Sequence, residues 1–149
     1  MTLITTNLVN LDLIGDSKEA IILELAQLID AEGRVAHFDQ YLQSVLDREA
    51  LTTTGIGFGI AIPHGKTEAV TKTTVAFGRT KTPIDWESLD GTPAQIVFLL
   101  AVPESCKGDE HLRIIASLSR QLIHEDFRKK LENSKDEAEI VALISDVLN

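Results

Sequence analysis

At 149 residues, with 44% hydrophobic and 25% charged side chains, the chain has the size and make-up of one globular domain over residues 1–149, which excludes disorder and fibrous repeats. The net charge of −9, with no dense Lys/Arg cluster, excludes nucleic acid as a partner and favours one with a basic surface. A single cysteine, Cys106, excludes an internal disulfide and a multi-cysteine metal site, as expected under reducing conditions.

The opening residues Met1-Thr2-Leu3-Ile4 carry no basic stretch followed by an apolar one, so the expectation is a cytoplasmic protein. Leu3 to Ile14 alternate loosely between apolar and polar and predict a short edge strand before Gly15. Asp16-Ser17-Lys18-Glu19 supplies a helix start, with Asp16 as the acid at the cap and Glu19 three positions on. Ile21, Ile22, Leu25, Leu28 and Ile29 follow at helical spacing until Gly33. A second helix is predicted from Phe38 to Ala50, with Phe38, Tyr41, Leu42, Val45 and Leu46 on one face and Asp47, Arg48 and Glu49 in its last turn.

Next comes Gly55-Ile56-Gly57-Phe58-Gly59-Ile60-Ala61-Ile62-Pro63-His64-Gly65-Lys66. Three glycines at alternate positions permit positive φ and a close approach by another surface, which predicts a docking loop. Ile60, Ala61 and Ile62 are too few and too β-branched for a helix, and Pro63 cannot donate to a ladder, so His64 is expected just past a strand end.

Strands are predicted at Thr73 to Arg79, in a short piece at Ile84 to Trp86, and at Gln95 to Val102, with Asp90-Gly91-Thr92-Pro93 as the clearest turn. Ile96 to Val102 is continuously apolar, too short to cross a bilayer but suited to a central strand with both faces covered. Pro103 ends it, and a loop with Cys106 and Gly108 leads to a helix from Asp109 whose stripe is Leu112, Ile115, Leu118 and Leu122. Two C-terminal helices follow, at Asp126 to Leu131 and at Lys135 to Leu148. Helices interleaved with strands predict an α/β fold, one sheet between helical layers.

Two nucleotide motifs fail on spacing. A Gly-x-Gly-x-x-Gly fingerprint would need its third glycine at Ile62 or at Ile60, and five residues rather than four separate Gly59 from Gly65 in a phosphate-binding loop. What is left is a histidine that titrates near neutral pH and is a good nucleophile when neutral, which suits phosphoryl transfer. His111 falls in the first turn of a helix, where free N–H groups and the dipole favour an anion and disfavour a charged imidazole. Arg48 can add positive charge or be a solvated helix-end cation near Glu49. Lys66 can simply keep the corner soluble. His37 and His124 read as structural, Trp86 as packing an edge of the core, and Cys106 as an incidental thiol.

Arg48-Glu49, Thr54-Gly55-Ile56-Gly57 and Gly59-Ile60-Ala61-Ile62-Pro63-His64-Gly65 carry a further signal, with Pro83-Ile84-Asp85-Trp86, Asp90-Gly91, Val102-Pro103 and Glu110-His111-Leu112 in the same order. Over essentially the whole chain they resemble the enzyme IIA domain of the fructose and mannitol class (EIIA type 2) of the bacterial phosphoenolpyruvate-dependent sugar phosphotransferase system. The resemblance implies a single mixed β-sheet flanked by helices on both faces. It implies that His64 accepts a phosphoryl group from the phosphocarrier protein HPr and passes it to a cysteine of enzyme IIB, which supplies the membrane IIC permease. By the same resemblance His111 lies beside the phosphorylated His64, Arg48 helps to hold the phosphate, and the step uses no metal, nucleotide or other cofactor. The Ile-Ala-Ile-Pro-His-Gly-Lys wording resembles fructose-type members, with mannitol and galactitol as alternatives. A nitrogen-related regulatory relative, in which phosphorylation of His64 controls partner binding, is the other reading; a non-catalytic interaction module, with His64 silent, is a third.

Overall fold

Ile96 to Val102 contains no polar side chain, so this segment is stable only where both faces are covered. In the computed structural model of the protein, which describes residues 3–105 and 109–148, it is the centre of the sheet. In chain order the elements are β1 (Val9–Leu13), α1 (Lys18–Ala31), α2 (Phe38–Leu51), β2 (Gly55–Gly57), β3 (Ile60–Ala61), β4 (His64–Thr67), β5 (Thr74–Ile84), β6 (Ala94–Pro103), α3 (Glu110–Leu122), α4 (Glu125–Asn133) and α5 (Glu137–Leu148). The expected loop at Cys106 and Gly108 lies outside the described residues.

The six strands run in the order β1-β5-β6-β3-β2, with β4 also paired to β6. β1 is parallel to β5, β5 antiparallel to β6, and both β3 and β4 run parallel to β6, so the sheet is mixed, as expected. α1 and α2 form one helical group and α3, α4 and α5 another, covering the two faces. Phe77 and Phe98 are register partners on β5 and β6, with ring centroids 5.3 Å apart edge to face. Ile96 to Leu100 are each at most 2% exposed, and burial of each large side chain contributes about 1.5–3 kcal/mol.

Several expectations change. The α1 cap is Ser17, whose hydroxyl accepts from the Ala20 N–H at 3.1 Å, rather than Asp16. The strand predicted at Thr73 to Arg79 runs on to Ile84 as one long strand, β5, while Asp85 and Trp86 of the short piece predicted at Ile84 to Trp86 lie outside it. The pairing of β5 with β6 shifts register between Arg79 and Ile84, an irregularity that accommodates Pro83 in a strand. In α3 the buried line is Ile114, Leu118 and Leu122, while Leu112 is 52% exposed and Ile115 half-buried. The stripe is rotated because the first turn of α3 faces the corner that holds His64.

The corner itself departs most. β3 and β4 pair with successive stretches of the same strand, Ile60 with Ile96 and His64 with Leu100, so the ladder resumes immediately after Pro63. His64 therefore opens a strand instead of lying past the end of one. Proline costs the ladder a donor, but its carbonyl still accepts the Leu100 N–H at 3.0 Å. The surface that approaches the glycine loop is also the chain's own. A methyl group on Gly57, which has φ +98°, would meet the Asp90 carboxylate at 2.7 Å, and one on Gly55 would meet Ser88. These glycines let the 88–92 turn pack on β2, where Asp90 accepts the Phe58 N–H at 3.1 Å.

Candidate active site

Three elements deliver the side chains that matter. α2 ends with Arg48 and Glu49, β4 opens with His64, and α3 carries His111 in its first turn. α2 can lie directly on β4 because Gly65 has no side chain: a methyl group there would come to 2.9 Å from Val45 Cγ2. Tyr41, fully buried one turn earlier, donates its hydroxyl to the Leu100 carbonyl at 2.9 Å and pins the helix to the central strand.

His64 is only 9% exposed, and its Nδ1 lies 3.1 Å from the Ile62 carbonyl. A carbonyl can only accept, so Nδ1 carries the proton and the lone pair resides on Nε2. Burial lowers the affinity of His64 for a second proton and outweighs the opposing Ile62 hydrogen bond; the charges of Arg48 and His111 lower it further, and Glu49 partly opposes them. The imidazole is thus neutral, in one tautomer, with a defined nucleophilic nitrogen.

The His111 ring lies against it, with centroids 5.7 Å apart and planes tilted by 36°. Its Nδ1 is buried without a hydrogen-bond partner among the described residues. Its proton affinity is lowered as well, first by burial, then by Lys66 and Arg48, with Asp109 opposing. The direction agrees with the expectation of a neutral His111; burial leads it and Lys66 adds to it. The α3 cap residue, Asp109, makes no side-chain cap bond, so the first-turn N–H groups keep their capacity for an anion.

Arg48 donates to the Thr52 carbonyl at 3.0 Å, closing the end of α2, and its charge reaches both imidazoles. It is not paired with Glu49. That carboxylate is 8% exposed and is bridged by Lys18 at 3.3 Å. Lys66, expected only to keep the corner soluble, is instead the leading charge acting on His111. Trp86 is fully buried, as expected, and donates its indole N–H to Thr54 Oγ1 at 3.1 Å. His37 and His124 precede α2 and α4 without side-chain cap bonds. No group of three or more His, Cys, Asp or Glu among the described residues stands close enough to hold a metal ion.

The sequence did not single out Glu49 as buried. A readable signal existed: Tyr41, Val45 and Glu49 are spaced by four, so Glu49 continues the buried line of α2.

The chain as a whole has known relatives. The family model described as phosphoenolpyruvate-dependent sugar phosphotransferase system, EIIA 2, matches residues 2–147. A fructose-specific EIIA component from Haloferax volcanii is 40% identical over 147 residues, covering 99% of this chain and 95% of that protein. The crystal structure of nitrogen regulatory protein IIA-Ntr from Neisseria meningitidis superposes with a TM-score of 0.87 at 30% identity, covering 95% of this chain and 96% of its own. Enzyme IIA for mannitol from Escherichia coli, in its complex with phosphorylated enzyme IIB, gives a TM-score of 0.81 at 27% identity, covering 96% and 97%. With a matched family model over nearly its full length and a mixed sheet of the same fold, the chain belongs to the EIIA 2 family of the phosphoenolpyruvate-dependent sugar phosphotransferase system, a phosphotransferase component.

Proposed function

We propose that residues 1–149 form one EIIA unit that relays a phosphoryl group from phospho-HPr, through His64, to a cysteine of an enzyme IIB serving a sugar permease in the membrane. The observation that carries this reading is the Nδ1–H bond from His64 to the Ile62 carbonyl beside the His111 ring. The Nε2 lone pair attacks the phosphorus of the donor phosphohistidine; the donor P–N bond breaks as the new one forms, and the donor imidazole leaves with its electron pair. Positive charge developing on His64 meets the Ile62 carbonyl, and charge on the moving phosphoryl oxygens meets His111, Arg48 and the first-turn N–H groups of α3. The acceptor thiolate then takes the group by the same displacement. Neither cofactor nor metal enters the step.

Fructose is the sugar we assign, on the 40% identity to the fructose-specific Haloferax component. A regulatory role is the second reading, motivated by the TM-score of 0.87 to a nitrogen regulatory IIA. The relay operates in the cytoplasm, and no helix among the described residues is long and apolar enough to cross a membrane. Incubation with labelled phosphoenolpyruvate, enzyme I, HPr and a panel of IIB domains tests the proposal. Label should reach the protein, vanish on mild acid treatment and pass to a fructose-type IIB. An acid-stable label would point to Ser or Thr and overturn it; loading without transfer to any IIB favours regulation.

A further inference from the structure

A carboxylate at the end of a helix normally faces water, because burial without partners costs several kcal/mol. Glu49 is buried, and it has three donors: the Thr54 N–H at 2.9 Å, the Thr54 hydroxyl, and Lys18 Nζ at 3.3 Å. An apolar residue would continue the Tyr41–Val45 line but would leave the buried Thr54 N–H and hydroxyl without this acceptor, so what the carboxylate adds here is a fixed Thr54.

Hydrogen bonds lead from it to the nucleophile. The Thr54 carbonyl accepts the Ile62 N–H at 3.0 Å, and the Ile62 carbonyl accepts from His64 Nδ1 at 3.1 Å. Thr54 and Ile62 are each held at both their N–H or hydroxyl side and their carbonyl side, so neither can turn without breaking a bond in the run. The indole N–H of Trp86 fixes the Thr54 hydroxyl from behind, and Lys18 sits 5.8 Å over the same indole. We propose that Glu49 is a positioning residue for phosphoryl transfer: through Thr54 and Ile62 it aims the carbonyl that holds His64 in the tautomer with its lone pair on Nε2. This rests on the reading of His64 as the phosphoryl acceptor.

The need for such a device is chemical. The neutral histidine side chain free in water favours the proton on Nε2, the tautomer that cannot attack through that atom, so the opposite form must be held by a well-placed acceptor. If the Ile62 carbonyl loosens, the nucleophile is lost without any change at the surface a partner meets. Rate should therefore suffer while donor affinity does not.

The test is Glu49→Ala, assayed for transfer from phospho-HPr and, unphosphorylated at pH 7.5, for its imidazole ¹⁵N shifts. The rate at saturating donor should fall by roughly tenfold or more with KM within about twofold of wild type. The His64 signals should move from an Nδ1–H pattern toward mixed tautomers. Should Glu49→Ala fail to fold by circular dichroism, Thr54→Val and Thr54→Ser decide by the same readouts: the valine shifts rate and tautomer, the serine restores both. An unchanged tautomer in a folded variant, or a loss carried by KM alone, overturns the proposal. The tautomer readout needs no phosphate, whereas undiminished transfer by His64→Ala would remove the relay reading and leave the tautomer result to be judged alone.

Discussion

The two imidazoles of the site sit 5.7 Å apart in different surroundings. His64 opens a strand, is nearly buried and has its Nδ1 committed to a backbone carbonyl. His111 stands in a helix's first turn, is half-exposed, and has a ring nitrogen with no partner among the described residues. A nucleophile must present one atom in one protonation state, and the Ile62 carbonyl, at the corner between β3 and β4, secures that for His64. A group that must bind a phosphoryl oxygen in some states and not in others is better left with capacity to spare. The lowered proton affinity of both rings has different company too: Arg48 and His111 act on His64, Lys66 and Arg48 on His111.

The largest effect expected from breaking this contrast comes at the fixed end. His64→Ala should abolish uptake of label from phospho-HPr, a loss of about 10⁴-fold or more, with circular dichroism unchanged. Transfer at the wild-type rate would place the nucleophile elsewhere. His111→Ala should retain phosphorylation and slow transfer by roughly tenfold to a hundredfold, since a charge-stabilising donor is less necessary than the nucleophile. Wild-type rates for both half-reactions would show that the second ring does not serve the phosphoryl group. A smaller effect is structural: Gly65→Ala forces α2 away from β4 at Val45 and Ser44, and should cost about 1–3 kcal/mol by chemical denaturation. Unchanged stability would mean that α2 can move outward freely, which the Tyr41 anchor argues against.

Much of this is legible in the amino-acid sequence. Ile96 to Val102 could only be a central strand, and the helical spacing in α1 and α2 survives to within a residue or two at each end. His64, His111 and Arg48 were each nominated from chemistry or resemblance, and they meet at one place. What stayed hidden depends on pairing between distant segments. Pro63 looked like the end of a ladder because sequence does not reveal that β6 supplies donors to its carbonyl. Gly55 and Gly57 looked like room for a partner because nothing local says that Ser88 and Asp90 fold back onto them. Glu49 is placed by the sequence only in the last turn of a helix, and a charged residue there gives no local sign of burial. Its donors come from residues 18 and 54, on other segments of the chain.

The smallest effect separates the two rings by pH alone. Burial leads the shift of both histidines below their ordinary value of 6.5, so in each case the unfolded chain takes up a proton more readily than the native one. Between the native value and 6.5 the unfolded state binds more protons, and stability falls as pH falls through that window. It is fully present above 6.5, where both states are neutral. The carboxyls held low in the native state, Glu32 by the Thr5 hydroxyl and Asp90 by Thr92, lose their contribution only as pH drops below the ordinary carboxylate range, so they do not compete in this interval. Denaturant unfolding between pH 7.5 and 5.5 should then show a decline in the wild type that is reduced in His64→Ala. The reduction in His111→Ala should be smaller, because that ring is the more exposed of the two. Comparing the change with pH, rather than stability at one pH, cancels the packing lost with each ring. Equal slopes in all three proteins would mean that water reaches His64 as freely as it reaches His111, and the division between a fixed and an adaptable imidazole would fail.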